Sequence, residues 1–101
     1  MESKIKSEEM DFLFESILQL KNIEECYKFF EDICTVNEIN AIKQRLQVAK
    51  MLMDKRTYLD IANTTGASTA TISRVNRSLT YGNGGYDIVF GRIEEEKANR
   101  E

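Results

Sequence analysis

Apolar residues recur along this chain at helical spacing. Met10, Phe12, Leu13, Phe14, Ile17, Leu18 and Leu20 crowd more than one face of a helix that Ser7 caps and that is expected to run to about Lys21. Glu8, Glu9 and Asp11 complement its positive end and Lys21 its negative end. A surface helix buries a single stripe, so the surplus predicts that a second chain covers part of it. Asn22 with Glu25 has capping-box spacing and opens a helix from Ile23 to about Cys34, with Ile23, Cys26, Phe29, Phe30 and Ile33 as its expected buried set. Thr35 with Glu38 repeats that signal and starts the longest helix, Val36 to Met53. There Ile39, Ile42, Leu46, Ala49 and Met53 alternate at spacings of three and four, a seam for other helices. Residues 1 to 6 are charged and expected to fray.

Asp54 to Arg56 link this helix to the stretch TYLDIANTTGASTATISRVNRSL, Thr57 to Leu79, which has the pattern of a helix, a tight turn and a second helix. Thr57 with Asp60 forms another capping pair. Ile61 and Ala62 face inward from the first helix, and Ala62 is small enough to let the second cross close above it. Gly66 falls where the chain turns and positive φ comes at little cost. Ser68 and Thr69 are plausible caps for the second helix, whose Ile72, Val75 and Leu79 form a narrow apolar stripe. Its opposite face carries Thr69, Ala70, Ser73, Arg74 and Arg77, and no acid occurs from Ala62 to Tyr86. Small polar side chains with two arginines suit a helix lying against phosphates and base edges. An ordinary helical hairpin would use Gly66 as a cap but would not require this set of offsets. After Leu79, TYGNGGY is a strong turn signal, and a final helix is expected from about Asp87 to Ala98. No strand precedes that glycine-rich loop and no GK[ST] follows it, so it has the pattern of a turn rather than of a phosphate cradle.

Charge sharpens this picture. The net charge is −3, yet it is segregated: residues 1 to 40 carry −6, residues 41 to 80 carry +5 and residues 81 to 101 carry −2. The basic third contains the helical pair, so an acidic scaffold would orient a basic face on a polyanion. Histidine, tryptophan and proline are absent. That removes the commonest general base and metal ligand, permits long helices, and argues against an enzyme or a metal site. Cys26 and Cys34, on one helix, would lie about 12 Å apart, too far for an intrachain bridge. They are expected as reduced core residues of a cytoplasmic protein. No apolar run reaches membrane-spanning length and the amino terminus lacks a signal-peptide core. At 101 residues the chain supports one domain of modest core, divided as 1–56 dimerisation scaffold, 57–79 helix-turn-helix, and 80–101 turn and C-terminal helix.

Thr35 with Glu38, Ala41, Arg45, the run GASTATISR from Gly66 to Arg74, and Ser78 with Leu79 carry a family resemblance. From Cys34 to Leu79 the chain resembles the tryptophan repressor family, and as a whole its small YerC/YecD-type branch. The resemblance implies an all-α, intertwined helical homodimer with a helix-turn-helix, in which the first three helices of both chains share a core. It also implies a corepressor site holding a flat ring between two arginines matching Arg45 and Arg74, with Thr35, Thr71 and Ser78 lining it. Two positions depart from the family. Its glycine after the second arginine is Val75 here, and its base-reading arginine in the first motif helix falls at Leu59. Val75 therefore predicts that tryptophan does not bind tightly, leaving a smaller molecule or no ligand.

The expected function is a homodimeric, sequence-specific regulator of transcription, a repressor, acting on double-stranded DNA without metal or obligatory cofactor. Its DNA-binding set is Lys55, Arg56, Thr57, Ser68, Thr69, Ala70, Ser73 and Arg77. The alternative is a helical protein-interaction module that keeps the helix-turn-helix scaffold without specific DNA binding; the acidic outer thirds suit it.

Overall fold

The computed structural model describes residues 3–100, all of whose regular structure is helical: α1 (Glu8–Ile17), α2 (Ile23–Ile33), α3 (Val36–Met53), α4 (Tyr58–Thr65), α5 (Thr69–Tyr81) and α6 (Gly85–Arg100). The fraying expected at Met1 and Glu2 lies outside the described residues. From Ser3 to Lys6 the chain lies outside α1. It makes a turn, and the Lys6 ammonium sits 2.6 Å from the Asp11 carboxylate.

The capping residues start their helices by accepting the orphan amide hydrogens of the first turn. Ser7 accepts from the Met10 amide at 3.0 Å and Asn22 from that of Glu25 at 2.8 Å. At the start of α3 the box is reciprocal: the Glu38 amide donates to Thr35 at 3.1 Å, and the Thr35 amide donates to the Glu38 carboxylate at 2.8 Å. Those hydrogen bonds hold the Glu38 carboxyl below the usual carboxylate range. Helix α1 ends at Ile17, short of the expected Lys21, because Gln19 and Leu20 donate to carbonyls only three residues back, tightening the chain out of α geometry.

The chain forms two compact units, Met1–Ile39 and Asn40–Glu101. In the second, Val48 and Ala49 of α3, Ile61 of α4, Ala67 of the turn, Ile72 and Val75 of α5 and Phe90 of α6 form the buried core. Ala62, Leu79 and Tyr86 pack against it, and Tyr86 stacks on Phe90 with ring centroids 6.2 Å apart. Gln44 ties α3 to the end of α4 through the Thr65 carbonyl at 3.2 Å.

The first unit differs from what its pattern predicts. None of the residues of α1 or α2 is buried. Ile23, expected inside, is 76% exposed, and Phe12 is 71% exposed. Cys26 is exposed and Cys34 half-buried, so neither is a core cysteine within this chain. The stripe is present, and within the first unit it stays uncovered. The seam along α3 behaves likewise: Ala49 is buried, while Ile42, Leu46 and Met53 remain exposed.

Candidate nucleic-acid interface

Helix α4 starts at Tyr58, with Thr57 as its cap accepting from the Asp60 amide at 3.2 Å. It ends at Gly66, which has φ +74° and donates its amide to the Ala62 carbonyl. A residue with a Cβ would be strained at that angle, which is why glycine closes this helix. Ser68 then caps α5: its hydroxyl oxygen accepts from the Thr71 amide at 3.1 Å, leaving Thr69 as the first helical residue. Ile72 and Val75 are 0% and 3% exposed. Burying this inner stripe turns the other side of α5 outward, so Thr69, Ala70, Ser73, Arg74 and Arg77 are all exposed.

Lys55, Arg56 and Thr57, the remaining members of the predicted set, are exposed just before α4. Lys55 has φ +66°, and it closes α3 by donating its amide to the Leu52 carbonyl while Arg56 donates to that of Met51, both at 3.0 Å. Glycine is the usual occupant of that left-handed position. Arg56 is not a free cation. Its guanidinium donates to the Asp60 carboxylate, and that hydrogen bond, reinforced by the charge attraction, raises its already high pKa.

Ala70, Ser73, Arg74 and Arg77 line one furrow together. Tyr58, Asn76, Thr80 and Tyr81 line it as well. Those four are absent from the predicted set, although continuing the spacing of three and four beyond Arg77 reaches Thr80 and Tyr81. Arg74 and Ser78, which the resemblance assigns to one ligand site, line different hollows: Ser78 shares its own with Leu46, Gly82, Tyr86 and Val89. Thr71 is half-buried and engaged with Ser68, Arg45 is exposed, and Thr35 is committed to the α3 cap in the other unit. Val75 points into the core of the second unit.

The sequence profile of the Trp repressor protein family matches residues 8–94. The chain belongs to the Trp repressor family. Within this family of regulators, the chain is 55% identical over 92 residues to the uncharacterized protein YerC of Bacillus subtilis (strain 168), covering 91% of this chain and 88% of that protein. A crystal structure of a TrpR-like protein from Eubacterium eligens is similar at a TM-score of 0.87 and 63% identity, covering 90% of this chain and 94% of that one. A proposed Trp repressor from Staphylococcus aureus is similar at a TM-score of 0.86 and 54% identity, over 90% and 91% of the two chains. The helix-turn-helix reading and the all-helical fold agree with this Trp repressor membership. No helix among the described residues is long and apolar enough to cross a membrane.

Proposed function

We infer that this protein is a homodimeric, sequence-specific DNA-binding regulator of transcription, acting as a repressor. The observation that carries the reading is the division of α5 into a buried inner stripe, Ile72 and Val75, and an acid-free outer face of Thr69, Ala70, Ser73, Arg74 and Arg77. Thr69, Ala70 and Ser73 are short enough to let a helix enter a major groove and to touch base edges there. Arg77, with Lys55 and, in part, Arg56, would neutralise phosphates on either side, while Thr57 and Ser68 lie at the helix starts that approach the backbone.

The dimer is supported by the first unit. Phe12, Phe14, Leu18, Ile23, Tyr27, Ile33 and Val36 are all exposed in the single chain. Full burial of such side chains is worth about 1.5–3 kcal/mol each, and a segment this short lacks the core to stand alone. A second copy covering this face would supply that burial, and its twofold symmetry would present two copies of α5 to a palindromic site.

A small ligand held by Arg45 and Arg74 beside Thr71 belongs to the same reading as an optional input. Because Val75 adds side-chain volume where the family has glycine, that ligand would be smaller than tryptophan or would not be needed. Selection of binding sequences from random duplex DNA tests the function: a palindromic consensus supports it, whereas recovery of unenriched DNA rejects it.

A further inference from the structure

The outer face of α5 continues past the base-reading residues. Tyr58 at the start of α4 joins Ser73, Arg74, Arg77, Thr80 and Tyr81 of α5 in one open furrow of about 620 Å³. No carboxylate lines it. Arg74 and Arg77 form no ion pair among the described residues. Instead the Arg77 guanidinium lies over the Tyr81 ring, 6.0 Å from its centroid. That ring is 80% exposed, so it returns almost nothing to the hydrophobic core. Its contact holds a long, rotamer-rich cation in one place at the furrow's edge. The Thr80 hydroxyl is already committed, donating to the Asn76 carbonyl at 3.1 Å. Tyr58 brings the furrow a phenolic hydroxyl donor.

We propose that this furrow takes one strand of duplex DNA, with Tyr58, Arg77 and Tyr81 meeting its sugar-phosphate backbone while Ala70 and Ser73 meet base edges. The Tyr58 hydroxyl donates to a phosphate oxygen, and Tyr81 is a positioning residue that holds Arg77 against the same strand. The proposal rests on the reading of α5 as the DNA-reading helix and adds to it two aromatic residues outside its base-facing set. Charge complementarity selects the occupant: two unpaired arginines and no acid suit a polyanion. Of the furrow's two exposed rings, Tyr58 and Tyr81, the second is already faced by a guanidinium, so the furrow lacks the run of bare rings on which the bases of a single strand would stack.

The test measures affinity of the full-length protein for the duplex recovered by selection, for a mixed-sequence duplex and for a mixed-sequence single strand, over a salt series. Tyr58→Phe, which removes only the hydroxyl, is expected to weaken binding to both duplexes equally, by roughly three- to tenfold, with an unchanged salt slope because no counterion is released. Tyr81→Ala is expected to weaken it about two- to fivefold. Tyr81→Phe keeps the ring and restores binding, and Tyr81→Ala adds no loss once Arg77 is alanine. Thermal melts check that each variant is folded, and the two phenylalanine variants keep the test valid if the alanine variant is not. If the wild type binds neither duplex, the DNA reading itself fails and the furrow assignment with it. Should the wild type bind duplex while Tyr58→Phe and Tyr81→Ala leave affinity unchanged, only the furrow assignment is overturned. Tighter binding to the single strand than to duplex overturns it too.

Discussion

Arg56 and Asp60 are ion-paired one turn apart at the start of α4, with the guanidinium donating directly to the carboxylate. Arg77, on the outer face of α5, has an aromatic ring as its neighbour instead of an acid. Two arginines that look alike in a charge count therefore bring different amounts of free charge to a polyanion.

That difference sets the first prediction. Arg77→Ala is expected to weaken binding to every duplex and to flatten the dependence of affinity on salt by about one unit. Arg56→Ala should flatten it by clearly less, since Asp60 already neutralises part of its charge. Asp60→Asn, which releases the guanidinium, should tighten binding at low salt. Equal slopes for the two alanine variants in a fluorescence-anisotropy salt series would contradict this.

Lys55 carries two opposed contributions. Its left-handed backbone at φ +66° disfavours any residue with a Cβ, by about 1–2 kcal/mol. Some of that gain is offset by the greater freedom glycine adds to the unfolded chain. Lys55→Gly is accordingly expected to raise stability by about 1 kcal/mol in urea titration while lowering DNA affinity through loss of one phosphate contact. A stabilised variant with unchanged affinity would remove Lys55 from the interface.

The exposure of Phe12 turns the dimer into a sharp test. In a monomer a carboxylate at this exposed position costs little. In a dimer that covers it, the same carboxylate is buried without a partner. Phe12→Asp is expected to shift sedimentation from dimer to monomer or to unfold the protein, and Phe14→Asp to do the same. A wild-type protein that sediments as a folded monomer at micromolar concentration would contradict the prediction.

Val75 is 3% exposed and packs with Ile72, Ile61 and Phe90 in the core of the second unit. Val75→Gly loses that packing and places glycine inside a helix, for an expected cost of roughly 2–4 kcal/mol. Calorimetry on the wild type is expected to show no micromolar binding of tryptophan, because well-packed sites resist added volume. Micromolar binding by the unmodified protein would show that the valine is accommodated.

The helix-turn-helix was legible in the sequence because each of its constraints is local. Gly66 marks the positive φ, Ser68 is a residue type that caps helices, and the spacing of Ile72 and Val75 fixes which side of α5 faces inward. The first unit was legible only in part. Spacing reveals that Ile23 and Phe12 are apolar stripe residues, but not whether the covering surface comes from the same chain. Helix α5 runs two residues past the end that the turn signal after Leu79 predicts, because Thr80 and Tyr81 carry no stop signal. The stop is Gly82, where a Cβ would lie 2.3 Å from the Ser78 carbonyl oxygen. Lys55 gave no warning of its left-handed backbone, since that conformation is ordinarily signalled by glycine or asparagine. Tyr58 is not legible as a furrow residue in the sequence, because it joins α5 only through tertiary packing of α4 on α5.

Base-reading by α5 is tested most directly by selecting duplexes with the wild-type protein and repeating the selection with Thr69 or Ser73 exchanged. A palindromic consensus is expected from the wild type, with a changed base preference in both half-sites for each variant, while Arg77→Ala retains the wild-type consensus at lower affinity. Selected pools indistinguishable from random DNA, or loss of equal size on specific and random duplexes for all three substitutions, would contradict the assignment of α5 as the reading helix.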